Sequence, residues 1–291
     1  ERNIRVRGHY LASGRLTPQD AQKFQSTPEA LRTDIFSHIK DKLPALGHRV
    51  AEWDVINHMA EHEYSMESIF GSLDLYVDIM KQCRADLPGM PLWVNEGTIL
   101  PGGLRREHYE NTIRYLMDFG ATPDGIGMMG QFTPPYIEEP EAVYQVLDRF
   151  AALIPHLQLT ELVISMNEDE ALQADYLRDI MTIAFSHPAM EGILLWGFWE
   201  GRQAIPQAAL YRKDWSPKPA AEAWNRLVFQ DWWTDETGVT GRDGCFSARG
   251  FFGEYEIRAE NSNTQTSILC DFAPGATNIS LTLGEKEILA R

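Results

Sequence analysis

Short apolar runs alternate along the chain with longer segments in which apolar residues recur every three or four positions. The first pattern predicts buried strands, and the second predicts amphipathic helices that cover them. Strand–helix repeats of this kind are typical of parallel sheets. The predicted strands are residues 4–11, 51–57, 92–96, 125–130, 157–164 and 192–198. The predicted helices are residues 27–43, 65–85, 106–119, 140–153, 170–186 and 218–229, the first with Thr27 as N-cap and Pro28 at its first position.

The number of strands limits the architecture. Six strand–helix units are two short of the eight that close a (β/α) barrel. After about Trp233 the sequence is richer in Gly, Asn, Ser and Thr, and it carries short alternating runs at 255–258 and 279–283. We therefore expect a barrel-like unit over residues 1–233 and a small antiparallel β module over residues 234–291. The module could bind carbohydrate or simply extend the packing of the barrel.

Composition excludes some classes of function. The net charge of −16 argues against nucleic acid as a partner, because nucleic-acid binding needs a basic surface. The chain has no apolar run of about 18 residues, so no membrane span is expected. The three cysteines, Cys83, Cys245 and Cys270, lack CxxC spacing, and neither a metal site nor a cofactor is predicted. Cys245 and Cys270 could form a disulfide or remain reduced.

Polar and aromatic side chains gather where the predicted strands end. The carboxyl ends of parallel barrel strands form one face, which is where active sites of such barrels lie. Indole rings can stack on the apolar face of a sugar, and amides and carboxylates can bond its hydroxyls. Trp196 and Trp199 could alternatively fill the barrel, and as residues of one strand three apart they should point to opposite faces. The strand-end residues are Asn57, His58, Asn95, Glu96, Gln131, Glu161, Trp196, Trp199 and Glu200.

Several of these segments, in order along nearly the whole chain, resemble motifs of glycoside hydrolase family 10, the xylanase family, and its plant-type members most. Each motif alone is a weak signal, but the occurrence of all of them in this order is a strong one. The segments are Arg7-Gly8-His9, Glu52 to Asn57 (EWDVIN), Leu92 to Glu96 (LWVNE), Leu159 to Leu162 (LTEL), His187-Pro188, Leu194 to Glu200 (LLWGFWE), Arg249-Gly250-Phe251 and Gly253-Glu254-Tyr255.

The resemblance implies an α/β fold, a (β/α)8 TIM barrel of which this chain carries strands 3 to 8. It also implies hydrolysis of a β-linked, xylan-like polysaccharide with retention of configuration, and Glu161 as the nucleophile. Strands 1 and 2 would come from a missing N-terminal segment. A secreted location, extracellular or periplasmic, follows from the family, although the chain shows no signal peptide. The resemblance gives sugar contacts to His9, Asn57, Asn95, Glu96, Gln131, Trp196, Trp199 and Glu200.

Three positions depart from the family pattern. His58 stands at the position of the acid/base Glu, Gln131 stands where a His usually holds the nucleophile, and Ser13 stands near a usual Trp. A retaining glycosidase needs a nucleophile and an acid/base group about 5–5.5 Å apart. Loss of the general acid typically costs about 10²–10⁴ in rate.

Three readings of the acid position stay open. His58 could donate the proton as an imidazolium, or Glu61 or Glu63 could enter from the loop. In the third reading the protein is catalytically impaired and binds an oligo- or polysaccharide on the same scaffold. Glu96 and Glu200 could bond sugar or pair with an arginine such as Arg202, which leaves their roles open as well.

Overall fold

A computed structural model describes residues 4–47, 49–103, 105–273 and 279–283 of the chain. The chain divides into two compact units, Glu1–Trp224 and Asn225–Arg291. The division lies ahead of the predicted boundary at residue 233, in the last helix of the barrel-like unit. No described helix is both long and apolar enough to cross a bilayer.

The first unit is built on one parallel sheet of seven strands. In space the strands follow the order β1-β2-β3-β4-β6, with β5 and β7 each paired to β6. This confirms the predicted parallel strand–helix repeat. The strands are β1 (Arg7–Ser13), β2 (Glu52–Asn57), β3 (Leu92–Glu96), β4 (Gly125–Met128), β5 (Gln131–Phe132), β6 (Leu157–Ile164) and β7 (Met190–Leu195).

Helices connect these strands and cover the sheet through apolar faces. In the second helix the buried residues Leu31, Ile35, Ile39 and Leu43 recur every four positions, the spacing that lines one side of a helix. The helices are α1 (Pro18–Phe24), α2 (Pro28–Leu46), α3 (Met66–Phe70), α4 (Asp74–Asp86), α5 (Arg106–Asp118), α6 (Pro140–Ala151), α7 (Glu170–Ser186) and α8 (Pro219–Arg226).

The sheet is strongly curved. In a flat sheet, β1 and β6 would be separated by four strand spacings, roughly 19 Å. Instead the Arg7 guanidinium on β1 donates a 2.6 Å hydrogen bond to the Gln158 side chain on β6. The sheet therefore bends round until its first and fifth strands face each other, which is the curvature of a (β/α) barrel.

Four details of the predicted elements were wrong. The predicted helix over 65–85 is two helices, because Gly71 adopts a left-handed φ of 68° and ends α3. Thr27 precedes α2 as predicted, but its hydroxyl bonds the Lys23 carbonyl and does not cap the helix. Helix α1 was not predicted, although Thr17 caps its N-terminus by accepting a hydrogen bond from the Asp20 amide. Strand β7, the last strand of the first unit, ends at Leu195 and not at residue 198.

The second unit contains an antiparallel hairpin of β8 (Gly253–Glu260) and β9 (Gln265–Phe272). The Asn261 side chain accepts hydrogen bonds from the amides of Asn263 and Thr264 and so closes the loop. An antiparallel module was predicted, but its second strand was wrongly expected at 279–283, where the structure has no strand. Cys245 and Cys270 are free thiols here, so the possible disulfide is not formed.

Candidate active site

Glu161, near the carboxyl end of β6, lies at the centre of a polar cluster inside the curved sheet. Its carboxylate accepts long hydrogen bonds from the amide groups of Asn95 (3.4 Å) and Gln131 (3.5 Å). The Nε2 atom of His9 is 3.7 Å from the same carboxylate. Four strands therefore direct polar side chains to one point, which brings together His9, Asn95, Gln131 and Glu161 from the predicted site residues.

An irregularity in β6 places Glu161 inside the barrel. Side chains alternate sides along a regular strand, so neighbouring residues should point apart. Yet the Asn95 side chain contacts both members of a neighbouring pair: it accepts a 2.6 Å hydrogen bond from Thr160 and donates to Glu161. The pairing of β6 with β7 shifts register between Leu159 and Leu162, which allows both side chains to face inward.

The surroundings of Glu161 act on its pKa in opposite directions. Burial raises the pKa of the carboxyl, and the cationic forms of His9 and His58 oppose that rise. The charge of Asp54 adds to the rise, whereas the hydrogen bond from Asn95 opposes it. The net result is a raised pKa, so the carboxyl keeps its proton to a higher pH than an exposed glutamate does.

His9 connects Glu161 to a buried ion pair. Its Nδ1 atom lies 2.9 Å from Asp54, while its Nε2 atom faces Glu161. The hydrogen bond to Asp54 is the main reason that the pKa of His9 is raised. Arg7 binds both carboxylate oxygens of Asp54, one of them shared with His9, and also bonds Glu52 at 2.8 Å. Asp54 therefore orients the imidazole that faces the candidate nucleophile.

His58 follows the last residue of β2 in a left-handed conformation, with φ of 56°. Its Nδ1 atom is 3.4 Å from the buried carboxylate of Glu96 at the end of β3. The charge of His58 acts on the pKa of Glu161. The residue at the acid/base position is thus an imidazole with one carboxylate behind it and Glu161 within electrostatic reach.

Glu96 is held in place from several sides. Its carboxylate accepts hydrogen bonds from the amides of Ala60 (2.5 Å) and Gly97 (2.7 Å), and Arg105 approaches it at 3.4 Å. Arg105 also forms a close ion pair with Glu61, whose second oxygen lies 3.7 Å from Arg15. Sequence analysis missed Arg105, and its signal was indirect: two carboxylates in neighbouring strand-end segments require a cation once they are buried.

The other predicted site residues are placed differently. The side-chain oxygen of Asn57 accepts a 3.0 Å hydrogen bond from the side-chain amide of Asn95, so Asn57 supports that amide. Trp196 meets β6 through its main-chain amide, which bonds the carbonyl of Leu162. Because β7 ends before Trp196, the argument that Trp196 and Trp199 alternate along one strand does not apply.

Trp199 and Glu200 lie in the loop that follows β7. The Trp199 indole stacks on Trp215 with ring centroids 5.0 Å apart. Glu200 accepts from the Lys213 amide and lies 3.4 Å from the Lys218 ammonium group. Arg202 is therefore not the cation that pairs with either carboxylate: Glu96 has Arg105, and Glu200 has Lys218.

Comparison with known proteins places these features in a family. The family model for "Glycosyl hydrolase family 10" matches residues 1–226. The chain belongs to glycosyl hydrolase family 10. Its curved parallel sheet is accordingly part of a (β/α)8 barrel, with a small antiparallel sheet in the second unit.

Individual relatives agree with the family 10 match. "Endo-1,4-beta-xylanase 1" of Arabidopsis thaliana is 29% identical over 262 residues, and "Anti-sigma-I factor RsgI6" of Acetivibrio thermocellus is 28% identical over 260 residues. These matches cover 88% and 87% of this chain but only 27% and 32% of the relatives, so the chain spans about a third of their length or less. The crystal structure of xylanase 10B from Thermotoga petrophila with xylobiose superposes with a TM-score of 0.66 at 23% identity, covering 79% of this chain and 75% of that one.

The geometry around His9 predicts a pH effect in this family 10 site. Replacing His9 by Gln removes a cationic group 3.7 Å from Glu161, so the pKa of Glu161 should rise above its already raised value. In His9→Gln the Glu161 carboxylate should therefore become protonated at a higher pH than in the parent protein. Carbon-13 NMR of labelled glutamate side chains, recorded during a pH titration, measures this directly.

His156→Gln is the matched control, since His156 is exposed, pairs with Glu191 on β7 and directly precedes β6, the strand that carries Glu161. It should leave the Glu161 titration unchanged. An unaltered or lowered Glu161 pKa in His9→Gln would show that the imidazole does not stabilise the carboxylate.

Proposed function

We propose that this family 10 protein hydrolyses a β-linked, xylan-like polysaccharide with retention of configuration, using Glu161 as nucleophile and a divergent acid/base position at His58. The curated relatives named as endo-1,4-β-xylanases support this substrate class. The observation that carries the proposal is the placement of Glu161: a partly buried carboxylate, held by two amides and facing two imidazoles, at the carboxyl-end face of the barrel strands.

This arrangement suits a glycosyl nucleophile. The amides of Asn95 and Gln131 fix the direction of the carboxylate, which limits the motion needed to reach an anomeric carbon. A carboxylate close to that carbon also stabilises an oxocarbenium-like transition state. Gln131 retains a donor at the position where family members usually have a histidine, but an amide carries no charge.

His58 is the proton donor that the geometry favours. A cation beside an oxocarbenium-like transition state is unfavourable, and the Glu96 carboxylate 3.4 Å away offsets part of that charge. An imidazolium can donate a proton in the neutral pH range. The proposed acid step is therefore weaker than that of a carboxylic acid, which is neutral before it donates its proton and becomes a carboxylate that stabilises the developing positive charge.

The loop carboxylates are less suitable. Glu61 forms a close ion pair with Arg105 and lies 3.7 Å from Arg15, so its carboxylate is already engaged by two guanidinium groups. Glu63 is exposed and lines an outer groove of about 500 Å³ together with Gln22 and Gln25 from the α1 segment. Both features support His58 over Glu61 and Glu63 as the donor.

The same features favour a second candidate, a catalytically impaired protein that binds glycan. Glu61 and Glu96, two carboxylates close to the acid position, are each engaged by Arg105. If His58 does not donate, the remaining amides and imidazoles still provide hydrogen-bonding groups for sugar hydroxyls. In either case the proposed partner is an oligo- or polysaccharide, and an extracellular or periplasmic location fits such a substrate.

The open sheet bears on the same proposal. Strand β1 pairs only with β2 among the described strands, and β7 pairs only with β6. We propose that two further strand–helix units join these edges and close the barrel, because unpaired strand edges are an association hazard. Such units would also complete the wall of the Glu161 site.

A series of aryl β-xylosides with graded leaving groups tests the hydrolase proposal. Dinitrophenyl xyloside needs little acid assistance, so the protein should cleave it. Xylo-oligosaccharides need a strong general acid, so their cleavage should be about 10²–10⁴ times slower than in a site that has a carboxylic acid at this position. His58→Ala should reduce the activity on poor leaving groups and spare the activity on dinitrophenyl xyloside. Initial rates across the series give this dependence.

His62→Ala is the matched control, since His62 is an exposed histidine four residues further along the same loop. His62→Ala should change neither the initial rates nor their dependence on the leaving group. Loss of poor-substrate activity in Glu61→Gln or Glu63→Gln, with a mild effect in His58→Ala, would assign the acid to the loop. No turnover of any aryl xyloside, together with measurable oligosaccharide binding, would establish the binding function instead.

A further inference from the structure

The loop that follows β7 carries an exposed aromatic surface outside the Glu161 cluster. Trp215 is 56% exposed, one of the most exposed large side chains of the first unit. The other members of this aromatic loop surface are Phe198, Trp199 and Tyr211, whose ring centroids lie 6.3, 5.0 and 6.4 Å from that of Trp215. A tryptophan held at the surface by its neighbours needs a physical reason, because burial would gain free energy.

The ring of Trp215 is fixed from one side. The Trp199 indole stacks against it with an interplanar angle of 7°, and the Trp199 N–H donates a 3.2 Å hydrogen bond to the Lys213 carbonyl. One face of the Trp215 ring is thus covered by a parallel indole that is itself anchored. Trp215 is nevertheless more than half exposed, so much of its side chain is left to solvent.

The backbone that presents Trp215 is also constrained. Trp215 has a φ of 67°, a left-handed conformation that large residues rarely adopt. Its amide bonds the Arg212 carbonyl at 2.9 Å, and the Asp214 side chain accepts from both the amide and the hydroxyl of Ser216. A backbone in this unusual conformation persists because the surrounding turn determines it, and such turns often hold binding residues.

From these observations we infer that the outward face of Trp215 is a second glycan-stacking site, which binds a pyranose unit of a β-linked polysaccharide outside the Glu161 cluster. A flat, pre-ordered indole matches the apolar face of a pyranose ring, and fixing it in advance lowers the entropy lost on binding. Lys213 and Asp214, the two residues before Trp215 in the chain, are also exposed, so polar groups occur next to it in the sequence. This inference rests on the proposed function in so far as the ligand is a glycan.

The chain connects this surface to the candidate active site. Trp196 bonds the main chain of β6 one residue after Glu161, and three residues later Trp199 forms the base of the Trp215 stack. A polysaccharide held at Glu161 is a long polymer, so additional units can reach an aromatic surface carried by the same loop. The expected consequence is an affinity that depends on the length of the glycan.

Calorimetry with xylobiose and xylohexaose tests this, in a Glu161→Gln background so that the ligand survives. Trp215→Ala should weaken hexaose binding about two- to tenfold and leave xylobiose binding unchanged. Alanine keeps the same backbone demand as tryptophan, so the change reports the ring. Trp215→Tyr should retain most of the affinity because a smaller aromatic face remains.

Trp233→Ala is the matched control, since Trp233 is an exposed tryptophan outside the aromatic loop surface, and it should leave both affinities unchanged. Equal affinities in Trp215→Ala and the parent, or a parent that binds no hexaose, would overturn the inference. A fall in melting temperature without length dependence would identify Trp215 as a packing residue and would also overturn it. If the protein cleaves no aryl xyloside but the length dependence disappears in Trp215→Ala, the hydrolase proposal fails and this inference stands.

Discussion

Replacing Glu161 by Gln should abolish turnover of dinitrophenyl xyloside, with a loss of more than about a thousandfold. The substitution preserves the shape of the side chain and replaces the anionic carboxylate that forms the glycosyl–enzyme bond by a neutral, poorly nucleophilic amide. Because the leaving group needs little acid help, this loss reports the nucleophile alone. Initial-rate measurements over a range of substrate concentrations separate a loss of turnover from a loss of binding.

Trapping the covalent intermediate provides a second test of Glu161 as the nucleophile. A 2-deoxy-2-fluoro xyloside with a dinitrophenyl leaving group slows both chemical steps, so the glycosyl–enzyme intermediate should accumulate on Glu161. Peptide mass spectrometry should find the added sugar on the peptide that contains residue 161, and Glu161→Gln should show no adduct. Labelling of another carboxylate, or turnover that survives in Glu161→Gln, would place the chemistry elsewhere in the barrel.

Replacing Arg7 by Met should lower the free energy of unfolding by about 3–5 kcal/mol. Arg7 is almost buried and binds Asp54, Glu52 and Gln158, so its removal leaves the Asp54 carboxylate in the barrel interior with His9 as its remaining cationic partner. Burial would raise the pKa of Asp54, but hydrogen bonds from His9 and Arg7 outweigh it and hold the pKa below its ordinary value. Denaturant-induced unfolding followed by tryptophan fluorescence measures the loss.

The pH dependence of that loss has a defined sign. Since the pKa of Asp54 is lowered in the folded protein, its ionic contacts stabilise the fold above the ordinary aspartate pKa, and this stabilisation disappears as the pH falls through the lowered value. The difference in the free energy of unfolding between Arg7→Met and the parent protein should therefore become smaller as the pH is lowered.

Arg178→Met is the control for Arg7→Met, because Arg178 bonds Asp175 and Asp179 on the exposed side of α7 and should cost less than about 1 kcal/mol. Adding Asp54→Leu to Arg7→Met should recover part of the stability. Equal losses in the two arginine variants would contradict a buried role for Arg7.

Regular elements with a strong pattern were predictable from the sequence. Strand β6 and helix α7 match their predicted ranges, since a strand-length run rich in Leu, Val and Ile and a repeating apolar helix face are both strong patterns. Strand β9 was not predicted, because adjacent Ile268 and Leu269 break the alternation of its polar and apolar positions. Gly71 was also inconspicuous, although its left-handed backbone divides a predicted helix.

The candidate site was predictable as a set of residues and not as a set of contacts. Strand-end positions identified Glu161, Asn95 and Gln131, which the structure brings together. The partners of Glu96 and Trp199 were not predictable, because Arg105 and Trp215 come from loops whose sequence does not state where they fold back. Long-range pairs of this kind depend on the whole tertiary arrangement.

The register shift in β6 has a consequence for redesign of this scaffold. An idealised strand of the same length would alternate strictly, and Thr160 and Glu161 could not both face the barrel interior. A designer who regularised the pairing of β6 with β7 to gain stability would thus turn the carboxylate toward the covering helices. In this barrel the irregular pairing between Leu159 and Leu162 is the feature to conserve, and regular segments elsewhere in the sheet are where sequence can be optimised freely.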